Sequence, residues 1–163
     1  MSDKTRTEML RQMDFFHDFT DEHLQRLAAI CEEAEFQTHQ QVFQEHDPAD
    51  QVYLVVSGKL SLVICAPKVG CRQITEATPG ELVGWSPLLG RPRLSDTATA
   101  LAPTKLLMFN GSELLKLCDD DHELGYRFMK KTAMVLGERL GATRVQLFNA
   151  CGLNLPQVHL ESD

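Results

Sequence analysis

The chain has 163 residues, 43% of them hydrophobic and 24% charged, with a formal net charge of −7. That length fits one domain with its own core, and the acidic balance excludes a protein that grips nucleic acid through clustered Lys and Arg. No apolar run reaches the length of a membrane span, and residues 1–8 lack the apolar core of an export signal, so the expectation is a cytoplasmic protein with neither membrane nor nucleic-acid partners.

In chain order, Met9, Leu10, Met13 and Phe16 recur at helical spacing and predict a helix over Thr5 to Phe16. A second helix opens at Thr20, a good N-cap, with Leu24, Leu27, Ala28 and Cys31 as its apolar stripe. His23 stands where a capping box needs Glu or Gln, so the box reads as incomplete. From Glu35 to Phe109 the period changes. Val52, Leu54 and Val56 alternate with Tyr53 and Val55, a strand buried on both faces. Ser57-Gly58 turns the chain into a strand from Lys59 to Cys65, and Ala66 to Gly70 turns it again into a strand from Cys71 to Ala77. Further strands are expected at Thr97–Ala102 and Thr104–Asn110. A short helix begins at Asn110 and ends near Cys118, and a long one runs uninterrupted by proline from Asp121 to about Ala150. Such a helix spans about 45 Å, longer than a barrel of this size needs as cover. Met129, Ala133, Leu136, Leu140, Thr143 and Leu147 lie on one stripe of it, and Gly137 and Gly141 are weak points that also permit close helix approach. The five cysteines, Cys31, Cys65, Cys71, Cys118 and Cys151, include no C-x-x-C pair and read as reduced, partly buried thiols. The tail from Gly152 to Asp163 has no pattern and is expected to be loosely ordered.

The stretch Thr78 to Thr104 organises the rest. Pro79-Gly80 marks a turn, and Gly84 permits a backbone conformation or a close approach that a side chain would block. Ser86-Pro87-Leu88-Leu89 is a short apolar turn whose free N–H groups suit an anion. An arginine-bearing loop, Gly90 to Asp96, and a strand of alternating small residues follow. Glycine, short helix, arginine, strand is the order of a phosphate cradle. Gly80-Glu81-Leu82-Val83-Gly84, Leu88-Leu89, Pro92-Arg93 and Ala98-Thr99-Ala100-Leu101-Ala102, together with the run from Phe43 to Leu60, resemble cyclic nucleotide-binding domains of the catabolite activator and protein kinase A regulatory kind. The resemblance covers roughly residues 14 to 150. Regular turns between short strands imply a sandwich or barrel, and the resemblance narrows this to an antiparallel jelly roll, or double-stranded β-helix, flanked by N-terminal helices and a long C-terminal helix. It implies an N-terminal helical segment at 1–33, a β-roll at 34–110 with its cassette at 78–104, C-terminal helices at 111–150 and a tail at 151–163.

The same resemblance implies a small anionic ligand, cAMP, cGMP or another effector, held by Gly84, Trp85, Ser86, Arg93, Thr97, Ala98 and Thr99. Each residue also has an ordinary reading. Arg93 is either the phosphate ligand, since a guanidinium fork suits that geometry, or a solvated loop charge, and Arg91 rivals it. Trp85 stands where the family places the glutamate that holds the ribose. It either stacks on a purine or plugs the pocket, because an indole accepts no hydrogen bond. Ser86 either faces a phosphate or caps the short helix. Counting back from Ala98-Thr99 places Asp96 at the phosphate arginine's position, whereas counting forward from Gly84 places Leu94 there. Asp96 either repels a phosphate or pairs with Arg91 or Arg93. Glu81 reads as a turn residue, and strand propensity alone explains Thr97 and Thr99. The histidines are scattered without an H-x-H pair, and neither a P-loop nor a G-x-S-x-G elbow occurs. No enzyme and no metal site is expected.

The expected function is a sensor or regulatory domain that signals through its C-terminal helix, with a homodimer formed by residues 121–150 and a protein partner as output. The alternative is a closed-pocket domain used for dimerisation or protein interaction. Charged residues give the long helix a local net charge of +2, which reads either as a solvated face or as a seam. Residues 152–163 are too few for a DNA-reading module, so no such output is expected within this chain.

Overall fold

The computed structural model describes residues 2–157. Helix α1 (Asp3–Arg11) and α2 (Asp21–Ile30) lead into eight strands: β1 (Cys31–Phe36), β2 (Gln41–Phe43), β3 (Gln51–Ser57), β4 (Leu60–Ala66), β5 (Gly70–Ala77), β6 (Leu82–Val83), β7 (Thr97–Ala100) and β8 (Thr104–Asn110). Helices α3 (Gly111–Asp120) and α4 (His122–Cys151) close the chain. The strands pair antiparallel in two sheets, ordered β1-β8-β3-β6 and β2-β7-β4-β5. This is the antiparallel β-roll with flanking helices that the motifs imply.

Both faces of β3 are used. Val52 and Leu54 join Leu107 and Phe109 of β8 in a core shared with the helices. Tyr53 and Val55 join Leu60, Leu62, Ala98, Ala100 and Leu106 in the core between the sheets. A strand buried on two sides loses the polar alternation of a half-exposed one, which is why Val52 to Val56 reads as a continuous apolar run. Helix α4 rests on the first core through Leu124, Phe128 and Thr132.

The structure departs from expectation in several places. The helix expected over Thr5 to Phe16 ends at Arg11, and Asp14–Phe16 form a separate 3₁₀ turn. Phe15 and Phe16 are both buried against Phe128. The box at α2 is complete: Thr20 Oγ1 accepts from the His23 amide at 3.2 Å, and His23 Nδ1 accepts from the Thr20 amide at 3.4 Å. A neutral imidazole nitrogen supplies the acceptor that Glu or Gln otherwise gives. Cys65 and Cys71 are not free thiols. They face each other across β4 and β5, exposed and joined as a disulfide, while Cys31, Cys118 and Cys151 form no disulfide among the described residues. The turn at 66–70 sets that register, and spacing in sequence alone does not show it. Of the tail, Gly152–Asn154 form a 3₁₀ turn, and 158–163 lie outside the described residues.

No described helix is long and apolar enough to cross a membrane.

Candidate functional site

The cassette is built outward from β3. Val55 donates its N–H to Glu81 O at 3.0 Å and accepts from Gly80 N at 2.9 Å, so the Pro79-Gly80 turn is tied to the strand. Glu81 Oε2 closes that turn, accepting from the Thr78 amide at 2.7 Å and its hydroxyl at 3.0 Å. The pairs Tyr53↔Val83 and Leu54↔Leu82 then carry the chain to Gly84. Gly84 has φ of 65°, and a Cβ there would lie 2.9 Å from the Tyr53 ring. Both the positive φ and the close approach require glycine. Behind it Phe43 and Tyr53 sit with ring centroids 5.1 Å apart. Burial, followed by Asp47 and Asp50, pushes the Tyr53 phenol above its ordinary range.

A 3₁₀ turn follows over Ser86–Leu89, with Pro87 in its first positions. Trp85 occupies the N-cap position, and Ser86, buried, lies inside the turn without a side-chain cap bond. The capping role considered for Ser86 is therefore not made. The turn is held from outside: a Cβ on Gly111 would come within 2.4 Å of Pro87 Cβ, so the start of α3 is packed directly on it.

The arginine loop runs along the β2–β3 connection instead of turning inward. Leu94 N donates to Asp47 O, His46 N to Leu94 O, and Ala49 N to Pro92 O, at 2.9 to 3.0 Å. Arg91 and Arg93 are exposed, and Arg93 Nη1 donates to His46 O at 3.3 Å. His46, at the place of a family glycine, holds φ of 73°. Leu94 is buried between the sheets. On β7, Ala98 and Ala100 also face that core, and Thr97 and Thr99 point the other way, half-buried. Thr97 Oγ1 accepts from the Glu45 amide at 2.9 Å.

The space beside the cassette contains a charged residue of the long helix, whose charges the sequence left between a solvated face and a seam. Arg139 of α4 is 11% exposed, with its guanidinium carbon 4.7 Å from the Trp85 ring centroid. Its Nη2 donates to Glu81 Oε1 at 3.2 Å, while Nη1 is buried with no hydrogen-bond partner. Glu81 thus joins the turn to the helix. Asp96 lies in the same electrostatic neighbourhood. Burial raises its carboxyl above the ordinary value, Arg139 opposes this, and Glu45 adds to it. The cation whose charge acts on Asp96 is Arg139, in place of the Arg91 or Arg93 considered from sequence. A signal for Arg139 did exist: Phe128, Thr132, Val135 and Arg139 follow the i, i+4, i+7, i+11 progression of one helix face.

An antiparallel β-roll with a cassette of this order, overlaid by a long helix, defines the class of cyclic nucleotide-binding-like β-rolls. The family model for the cyclic nucleotide-binding domain matches residues 33–121, and the chain belongs to that family. A Geobacter metallireducens protein assigned to cyclic nucleotide binding is 29% identical over 82% of this chain and 97% of its own, with a TM-score of 0.72. A cyclic nucleotide-binding domain from Methylobacillus flagellatus shares the fold at 18% identity and a TM-score of 0.75, over 97% of this chain and 86% of its own. The Thermus thermophilus catabolite activator protein is 25% identical over 82% of this chain and 61% of its own, with a TM-score of 0.66. No curated protein sequence matches the chain.

Proposed function

We propose that the chain is a non-enzymatic regulatory domain whose nucleotide pocket is closed from within and which acts as a homodimer through α4. Arg139 carries this reading. Its guanidinium lies on Trp85 and pairs with Glu81, so a side chain of the C-terminal helix packs on the cassette at the residue that stands in the place of the family's ribose-binding glutamate. Such a contact between a largely desolvated guanidinium and an indole is worth about 2 kcal/mol. Asp96, at the arginine position by one of the two counts, adds a charge that disfavours a cyclic phosphate.

The outward stripe of α4 supports the dimer. Beyond Met129, which packs on the core shared with the helices, Ala133, Leu136, Leu140, Thr143 and Leu147 alternate in steps of three and four, the a/d spacing of a coiled coil. Leu140 and Leu147 are 61% and 53% exposed here, and Gly137 and Gly141 have open space where a Cβ would stand. A second chain would cover this stripe.

One observation favours the open-sensor reading: the buried Arg139 Nη1 has no acceptor. In that reading a small anion, cAMP, cGMP or another effector, meets Arg139 or Arg93, with Gly84, Trp85, Ser86, Thr97, Ala98 and Thr99 around it. Isothermal titration of nucleotide-stripped protein with cAMP and cGMP separates the two. The closed pocket gives no heat with either nucleotide, and sedimentation gives the mass of a dimer. Micromolar binding abolished by Arg139→Ala or Arg93→Ala establishes the sensor and identifies the phosphate-binding arginine.

A further inference from the structure

We propose that Cys65 and Cys71 form a reversible thiol–disulfide exchange site for a dithiol reductant of the thioredoxin class, and that their redox state governs how the β4–β5 hairpin holds the cassette loop. The two cysteines are opposed in register near the hairpin tip, bonded and exposed. The strand faces around them are open too: Ile64 is 41% exposed and Val69 57%. A bond in such a place encloses no core, and an incoming thiolate meets no steric barrier. Disulfides that protect a fold against reduction are, by contrast, typically hard to reach.

The local charges favour exchange with a defined polarity. Residues 60–75 contain Lys68 and Arg72 and no acid. Arg72 Nη1 donates to Cys71 O at 2.8 Å, which holds its guanidinium against the Cys71 backbone. On the other strand, the Cys65 amide donates to Glu45 Oε2 at 3.1 Å, so a carboxylate stands beside Cys65. Cys71 is thus the better leaving thiolate, and the reductant's thiolate attacks Cys65 Sγ. The S–S bond breaks, a mixed disulfide forms on Cys65, and the reductant's second thiol displaces it. Two electrons and two protons pass from the dithiol to the protein, and the reductant leaves as its disulfide.

Glu45 connects this pair to the cassette. Its carboxylate holds the Cys65 amide, and its own amide donates to Thr97 Oγ1 at 2.9 Å. Reduction frees the hairpin end and loosens that link. The proposal is independent of whether the pocket binds a nucleotide.

Purified full-length protein, treated with N-ethylmaleimide and mapped by mass spectrometry, tests it. Cys65 and Cys71 are expected to resist labelling after mild oxidation with glutathione disulfide, to label under native conditions after dithiothreitol or thioredoxin with its reductase, and to regain resistance on reoxidation. After reduction, iodoacetamide should modify Cys71 several-fold faster than Cys65, and Arg72→Ala should narrow the difference. Hydrogen exchange should speed up at least tenfold at residues 44–47 and 61–75 on reduction, with β3 unchanged, and the Cys65→Ser/Cys71→Ser protein should exchange like the reduced form. Labelling of both cysteines after oxidation, release of the disulfide only in denaturant, or equal exchange in both redox states would overturn the proposal.

Discussion

At the scale of residues, Arg139 and Trp85 carry the consequences most open to measurement. Arg139→Ala removes the contact over the indole and leaves Glu81 without its cation. It should destabilise the fold by about 2 kcal/mol in urea titration and shift Trp85 emission to the red as water reaches the ring. The chain has one tryptophan, so the emission reports this contact directly. Asp96 gives a pH dependence of known sign. Its carboxyl is raised above its ordinary value of 3.8, chiefly by burial. The native state therefore holds the proton more tightly than the unfolded one, and the contribution to stability is present below that ordinary value and lost as pH rises through the native one. Asp96→Asn should accordingly gain stability relative to the parent as pH is raised from about 4 to about 7. A constant difference across that range in denaturant midpoints would count against a buried, strained charge at this position.

At the scale of elements, α4 joins two jobs on two faces. Its start is fixed by Asp121, whose Oδ1 accepts from Leu124 N at 3.1 Å and whose Oδ2 meets Arg26 at 3.0 Å. The amide bond is the first cause of a carboxyl held below its ordinary value of 3.8. Here the sign is opposite to that of Asp96: the contribution is present above the ordinary value and lost as pH falls through the native one. Asp121→Ala should cost about 1 kcal/mol near neutral pH, and the deficit should vanish in acid. The outer face behaves differently. Leu140→Glu with Leu147→Glu should convert the proposed dimer to monomer in sedimentation while leaving the monomer's own fold intact, since both side chains are exposed within one chain. Each leucine buried in a seam contributes about 1.5–3 kcal/mol to association. A mass unchanged by the double substitution would remove α4 as the dimer seam.

At the scale of the whole molecule, two cores share β3 and β8. Leu54 faces the helices and Val55 faces the space between the sheets, one residue apart on the same strand. Loss of either core therefore removes the backing of the other. Far-ultraviolet circular dichroism and Trp85 fluorescence should report a common unfolding transition, and Leu54→Ala should move both by the same amount, at a cost of about 2–5 kcal/mol. Separate transitions would show that the β-roll and helices unfold independently.

The amino-acid sequence alone determined the features that depend on local chemistry. Side-chain period marked β3 as buried on both sides, turn residues bounded β4 and β5, and the order of glycine, short turn, arginine loop and small-residue strand marked the cassette. Period, turn chemistry and motif order act over a few residues, so they are legible without a fold. Tertiary structure decided what the cassette contains. Arg139 and Glu81 are 58 positions apart, and the helix-face progression that aligns Arg139 with Phe128 and Thr132 does not say what that face meets. The placement of α4 makes that choice. Likewise, Asp96 is a half-buried acid only because the strands around it close, and Cys65 meets Cys71 only because the β4–β5 register sets them opposite. Distance through the chain hides such contacts, and the energy that selects them comes from surfaces that exist only after the elements have packed.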